Sequence, residues 1–170
     1  MPRLIDKSGA LIPNLWTLLD KDCPLEQAVS SGAHQLVVPL QLWLDHKAAL
    51  RASGKQLAVW LDSEESVKTI AADLPQLPLV ALNFPVFTDG RSYSNATRLH
   101  QHYLYGGEIR AIGDVLRDQL FYMRRCGFSS FDLRDSVKLE DAQQALQDFS
   151  DNYQSTIEQP LPLFRRRLSV

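Results

Sequence analysis

The sequence predicts an α/β fold of about five mainly parallel strands alternating with helices, preceded by a short N-terminal β-hairpin. Three observations carry this. Apolar runs of strand length recur at Leu36–Leu40, Leu57–Leu61, Leu79–Phe84, Glu108–Ile112 and Ser129–Leu133. Such runs suit strands buried on both faces, as in parallel sheets. Segments with helical spacing lie between them, so the chain reads as successive βα units with right-handed crossovers. The third observation is size. A chain of 170 residues, 45% hydrophobic and 22% charged, suits one domain with a real core. The pattern does not fix strand order. It leaves open a doubly wound sheet and a partial (β/α) barrel.

The elements follow in order. Residues 1–34 form a hairpin and a short helix. Leu4-Ile5-Asp6 and Ala10-Leu11-Ile12 flank a Lys7-Ser8-Gly9 turn, with Gly9 suited to the bend. Pro24 opens a helix over Leu25–Val29, with Gly32 just beyond it. Val67, Ile70, Ala71 and Leu74 share a helical face over 66–74, introduced by the Asp62-x-x-Glu65 spacing of a cap. Ala96, Leu99 and Tyr103 mark a helix over 94–103, with Ser94 as its N-cap. Leu116, Leu120 and Met123 mark another over 114–126, closed by Gly127. A last helix over 138–153 carries Leu139, Ala142, Leu146, Phe149 and Tyr153. Residues 159–170 hold two prolines and Arg165-Arg166-Arg167, and read as an extended basic arm.

Composition narrows the function classes. Eighteen Lys+Arg against twenty Asp+Glu give a net charge of -2, which argues against a nucleic-acid binder. No apolar stretch approaches a membrane span, and the first residues lack a signal-peptide core, so a cytoplasmic protein is expected. Cys23 and Cys126 are the two cysteines, too few for a chain-borne iron–sulfur cluster or structural zinc site. Cys126 reads as a core thiol. His34, His46, His100 and His102 show no metal-ligand spacing. The glycine-rich, P-loop, zinc-protease and serine-hydrolase motifs are absent, which still permits a flavin. The cofactor is unknown on these grounds.

In parallel α/β folds ligands gather beyond the carboxyl ends of strands. That rule selects the 83–94 loop, where Asp89, Gly90, Arg91, Ser92, Tyr93 and Ser94 crowd a helix start. An arginine fork and two hydroxyls beside free N–H groups suit a small anion. The same residues also read as a capped turn ordered by an Asp89–Arg91 pair. A second constellation is Asp114, Arg117 and Asp118, on one helix face by their spacing. Asp89 or Asp114 would move a proton, and Arg91, Arg110 or Arg117 would hold the anion. Asp114 reads equally as a helix N-cap, and Arg110 sits within a strand.

The runs Phe84–Ser94, Gly107–Leu120 and Arg125–Phe128, with the closing 162–167 stretch, resemble an uncharacterised bacterial family. Its members are commonly described as oxidoreductases of sulfite reduction, encoded beside the assimilatory sulfite reductase haemoprotein. The resemblance implies a cytoplasmic role in sulfur assimilation and brings no catalytic residues with it. With two cysteines the chain is not expected to carry the redox centre. The leading expectation is an accessory or partner protein that binds the reductase haemoprotein subunit or a small anion. The alternatives are an enzyme acting on a small anion and a flavin- or nicotinamide-dependent oxidoreductase.

Overall fold

The computed structural model describes residues 4–86 and 88–147. The basic arm at 159–170, and Phe149 and Tyr153 of the last predicted helix, lie outside the described residues. Among the described residues, seven strands form one sheet: β1 (Leu4–Asp6), β2 (Thr17–Leu18), β3 (Gln35–Pro39), β4 (Gln56–Leu61), β5 (Leu79–Phe84), β6 (Glu108–Gly113) and β7 (Ser130–Asp132). Their order is β1-β7-β6-β5-β4-β3-β2. All neighbours from β2 to β7 pair in parallel, and β1 runs antiparallel to β7. Among the described residues the α-helices are α1 (Leu25–Ser30), α2 (Leu40–Ala52), α3 (Arg91–Thr97), α4 (Arg117–Cys126) and α5 (Leu139–Gln147).

This strand order decides between the two topologies left open. From β2 to β7 each strand takes the next place in the same direction. Crossovers of one hand then all fall on one face of the sheet. Side-chain packing agrees. Alternate strand residues Leu36, Val38, Val59, Val80, Leu82, Ala111 and Phe131 join a core with Ala28, Trp43, Ala96, Leu120 and Ala142 from the five helices. The intervening residues Val37, Ala58, Trp60, Leu79, Ala81 and Ile112 form a second cluster, with Trp16 packed against it. The fold is therefore a curled, singly wound sheet of the partial-barrel type. A doubly wound sheet would carry helices on both faces.

The N-terminal hairpin forms as expected. Asp6 N–H donates to Ala10 O at 3.0 Å, and Ile12 N–H to Leu4 O at 3.0 Å. Gly9 occupies the left-handed region at φ +86°. The five apolar runs become β3 to β7 with ends shifted by about a residue.

Three expectations change. Residues 66–74 do not form an α-helix. They make two 3-10 turns, Val67–Ile70 and Leu74–Gln76, while Val67, Ile70 and Leu74 stay buried. Pro75 denies the second turn an amide donor and a continuous helix. The helix predicted from Ser94 starts at Arg91 and runs into a π-helical turn, Arg98–His102, leaving Ser94 exposed in mid-helix. The helix predicted from Asp114 starts at Arg117, where Leu116 N–H donates to Gln119 Oε1 at 3.0 Å. Gly127 does close it, at φ +105°.

Asp73 fastens the outer layer. It is 6% exposed, and its Oδ2 accepts the Trp43 indole N–H at 3.0 Å. Lys47 Nζ reaches both oxygens, at 2.8 and 2.6 Å. Burial opposes ionisation of Asp73, but Lys47, Trp43 and Arg51 together outweigh it and hold its carboxyl below the ordinary value. A carboxyl lowered on folding contributes stability above its unfolded pKa, and that contribution fades as pH falls through the folded value. We expect Asp73→Asn to cost about 2–3 kcal/mol at neutral pH, through weakened charge-assisted bonds around a buried indole donor. Urea unfolding at several pH values checks this, and the wild-type advantage should shrink below about pH 4.

Candidate functional site

The carboxyl ends of β4, β5 and β6 carry a ledge of paired charges. At the end of β4, Asp62 Oδ2 meets Lys21 Nζ at 2.6 Å. Its Oδ1 accepts Asn83 Nδ2 at 3.0 Å and Ser63 N–H at 2.9 Å. Burial pushes the Asp62 carboxyl up, but these donors prevail and keep it low. Glu65 behaves oppositely. Its carboxylate accepts Asp62 N–H at 2.6 Å, yet burial leaves its pKa raised. The Asp62-x-x-Glu65 spacing thus does make a local cap, one turn before the 3-10 segment.

Beyond β5 the loop closes on itself. Arg91 Nε donates to Asp89 Oδ1 at 3.0 Å and Nη2 to Asp89 Oδ2 at 2.7 Å, a two-point pair. The same Nη2 reaches Ser63 Oγ at 3.0 Å, and Arg91 N–H donates to Asp89 Oδ1 at 3.1 Å. The Arg91 guanidinium, then the Ser63 hydroxyl, hold the Asp89 carboxyl far below the usual carboxylate range. A carboxylate already fills the arginine fork, in the seat where an external anion was expected.

The remaining sequence candidates separate. Gly90 caps α3. Ser92 is fully buried, and its hydroxyl donates to Asn83 O at 2.6 Å. Tyr93 turns inward, its ring centroid 5.0 Å from that of Phe84 and 4.9 Å from that of Tyr122. Burial pushes its phenol up to about 12. Ser94 faces outward. Asp114 lies at the end of β6, its N–H on Phe84 O at 2.7 Å and its carboxylate on Arg134 Nη1 at 2.7 Å. Arg117 Nε donates to Asp141 O of α5 at 3.2 Å. Arg110 is on the sheet face opposite the helices, 4% exposed. It is bound to Glu108 Oε1 through Nε at 2.9 Å and Nη2 at 2.8 Å, and to Asn14 Oδ1 through Nη1 at 3.0 Å. Asp89, Gly90, Arg91 and Ser92 therefore share one corner, while Arg110 and Arg117 serve other contacts.

Lys21 was not singled out from the sequence. It sits 41 residues before Asp62, and no local pattern links the two. Both cysteines are buried, Cys23 at 8% and Cys126 at 7% exposure, and burial raises both thiol pKa values. Among the described residues, no group of three or more His, Cys, Asp or Glu could hold a metal ion. None of the described helices is long and apolar enough to cross a membrane.

The molecule is thus a singly wound α/β protein whose strand ends form an ion-paired ledge. The chain matches the family described as "Bacterial protein of unknown function (DUF934)" over residues 58–164, and it belongs to that family. The match spans β4 to α5 and contains the Phe84–Phe128 stretch that carried the resemblance. No curated protein matches the chain.

Two expectations follow. Gly113 lies at φ +91°, and a Cβ there would fall 2.5 Å from Phe84 O. Gly113→Ala should lose about 2–4 kcal/mol, read by thermal unfolding, because both backbone strain and a backbone collision oppose it. In the native chain at neutral pH, both thiols should react with a disulfide reagent about tenfold slower than in the unfolded chain. Equal rates would show that the thiols are open.

Proposed function

We propose that this protein is a non-catalytic partner in cytoplasmic assimilatory sulfite reduction, and that it docks on the sulfite reductase haemoprotein subunit through the ledge. The sulfite-reduction context rests on the family resemblance of Phe84–Phe128. One observation carries the choice of partner over enzyme: Asp89 is already ion-paired with Arg91. A carboxylate held that low is a poor base near neutral pH, because general acid–base work needs a pKa near the working pH. Asp114 also meets an arginine, through one contact with Arg134 Nη1 at 2.7 Å. The buried, raised thiols are equally unsuited to nucleophilic attack.

The ledge suits docking. Lys21, Glu64, Arg91 and Arg134 keep 51%, 66%, 60% and 57% of their side chains exposed along one end of the sheet. Mixed exposed charges of this kind set register and association rate more than raw affinity.

The test is affinity capture of the haemoprotein subunit by the full-length protein at low and moderate salt. We expect capture that weakens with salt and falls about tenfold in the double variant Arg91→Glu, Arg134→Glu. No capture at low salt, together with no effect on reductase turnover, would remove the proposal. A visible spectrum of the purified chain showing bound flavin would favour the oxidoreductase alternative instead.

A further inference from the structure

The crossover from β4 to β5 folds as two 3-10 turns, which cover less of the sheet than a full helix would. A cleft of about 520 Å³ opens there, beside the starts of β4 and β5 and against the last turn of α2. That volume is in the range of small-molecule sites. Its walls are mostly apolar, from Trp43, Leu57, Leu77 and the rigid Pro75 and Pro78. Arg51, Lys55, Gln56 and Gln76 supply the polar groups. No carboxylate lines the cleft among the described residues.

The polar groups are held in place from outside the cleft. Arg51 lies over the Trp43 ring, its guanidinium carbon 5.3 Å from the centroid. It meets Asp73 through one long contact, Nη2 to Oδ1 at 3.4 Å. Lys47 and the Trp43 indole engage the same carboxylate more closely, at 2.6 to 3.0 Å. Lys55 follows Gly54, whose φ of +72° turns the chain from α2 into β4. Its Nζ donates to Ser31 O, and to Ala33 O at 2.8 Å. Both are main-chain oxygens, and one of the three ammonium donors remains. Gln56 Oε1 accepts Gln35 Nε2 at 2.8 Å, which leaves the Gln56 amide nitrogen as a further donor. Among the described residues, Lys47, Arg51 and Lys55 thus meet one carboxylate between them, Asp73.

We infer that this cleft binds a small organic acid, with an apolar body against Leu57, Leu77 and the prolines and its carboxylate on Arg51 and Lys55. Three cations around one carboxylate leave a net positive field, and apolar walls strengthen it by lowering the local dielectric. The Arg51 guanidinium keeps donors that Asp73 does not use, in a planar fork that matches a carboxylate. The stack on Trp43 and the two carbonyls on Lys55 fix both cations before a ligand arrives, which lowers the cost of ordering them. The cleft lies at the opposite end of the sheet from the ledge, and the inference does not rest on the partner reading.

The experiment is a heteronuclear NMR titration of the full-length protein with phenylacetate and, separately, hexanoate. The uncharged amides, phenylacetamide and hexanamide, are the comparison. Saturable shifts of the Trp43 indole N–H, with a Kd below about 1 mM, are expected for at least one acid. Its amide should bind about tenfold more weakly, and Arg51→Gln should weaken the acid by about the same factor, the worth of one charge-assisted contact. Arg51 is 42% exposed and makes only the long contact with Asp73, so Arg51→Gln keeps the test decisive if Lys55→Gln, the second variant, fails to fold. Lys138→Gln, at an exposed cation just before α5, should leave the affinity unchanged. Absence of saturable binding for both acids, equal binding of acid and amide, or unchanged affinity in Arg51→Gln would each overturn the assignment.

Discussion

A repeated step of one hand, never reversed, governs this molecule. From β2 to β7 every strand is laid down beside the last in the same direction. That leaves one sheet face for the helices and another for whatever else the chain provides. On the helical face, burial of Leu36, Val59, Val80 and Phe131 against α1 to α5 supplies the continuous core. On the other, Trp16 packs on the smaller cluster, and Asn14 reaches the buried Arg110. Because Arg110 sits on that second face, it is drawn away from the strand ends. Its burial is supported by Glu108 and Asn14, since a buried guanidinium without acceptors would be costly.

The strands were legible because both of their faces are buried. Leu57–Leu61 and Leu79–Phe84 announce themselves as unbroken apolar runs, and burial of both parities is what a parallel sheet requires. β2 was not legible. Thr17 and Leu18 are both exposed, and two residues carry no period. Helix starts were legible only to within a few residues. Ser94 and Asp114 are good capping types, yet neither caps. Asp89 accepts the first N–H of α3 through its side chain, and Asp114 turns to Arg134 instead. Capping propensity states what a residue is able to do locally, while a partner twenty residues away decides what it does.

The candidate site divides in the same manner. Asp89, Gly90, Arg91 and Ser92 lie together because they are adjacent in the chain. Adjacency left two readings open, an anion seat and a turn ordered by an Asp89–Arg91 pair, and the pair is what forms. An Asp-x-Arg spacing in a tight turn allows a two-point pair, and that pair also satisfies a helix-start donor and reaches Ser63. Arg117 was displaced from its expected face because α4 begins at that residue, which swings the side chain toward α5. Lys21 enters through packing between segments distant in sequence.

The rule that ligands gather at the carboxyl ends of parallel strands rests on two physical conditions. Helix N-termini must present unused N–H groups there, and a reversal of strand order must open a crevice. Here neither condition holds in its usual form. The strand order has no reversal between β2 and β7, so no switch-point crevice arises. The start of α3 is occupied by Asp89, the entry to α4 by Gln119, and α2 follows β3 without a loop. A singly wound sheet with self-satisfied helix starts presents a closed, polar ledge at that end. The proposed docking rests on this geometry, because exposed charge set on a closed ledge suits a partner surface.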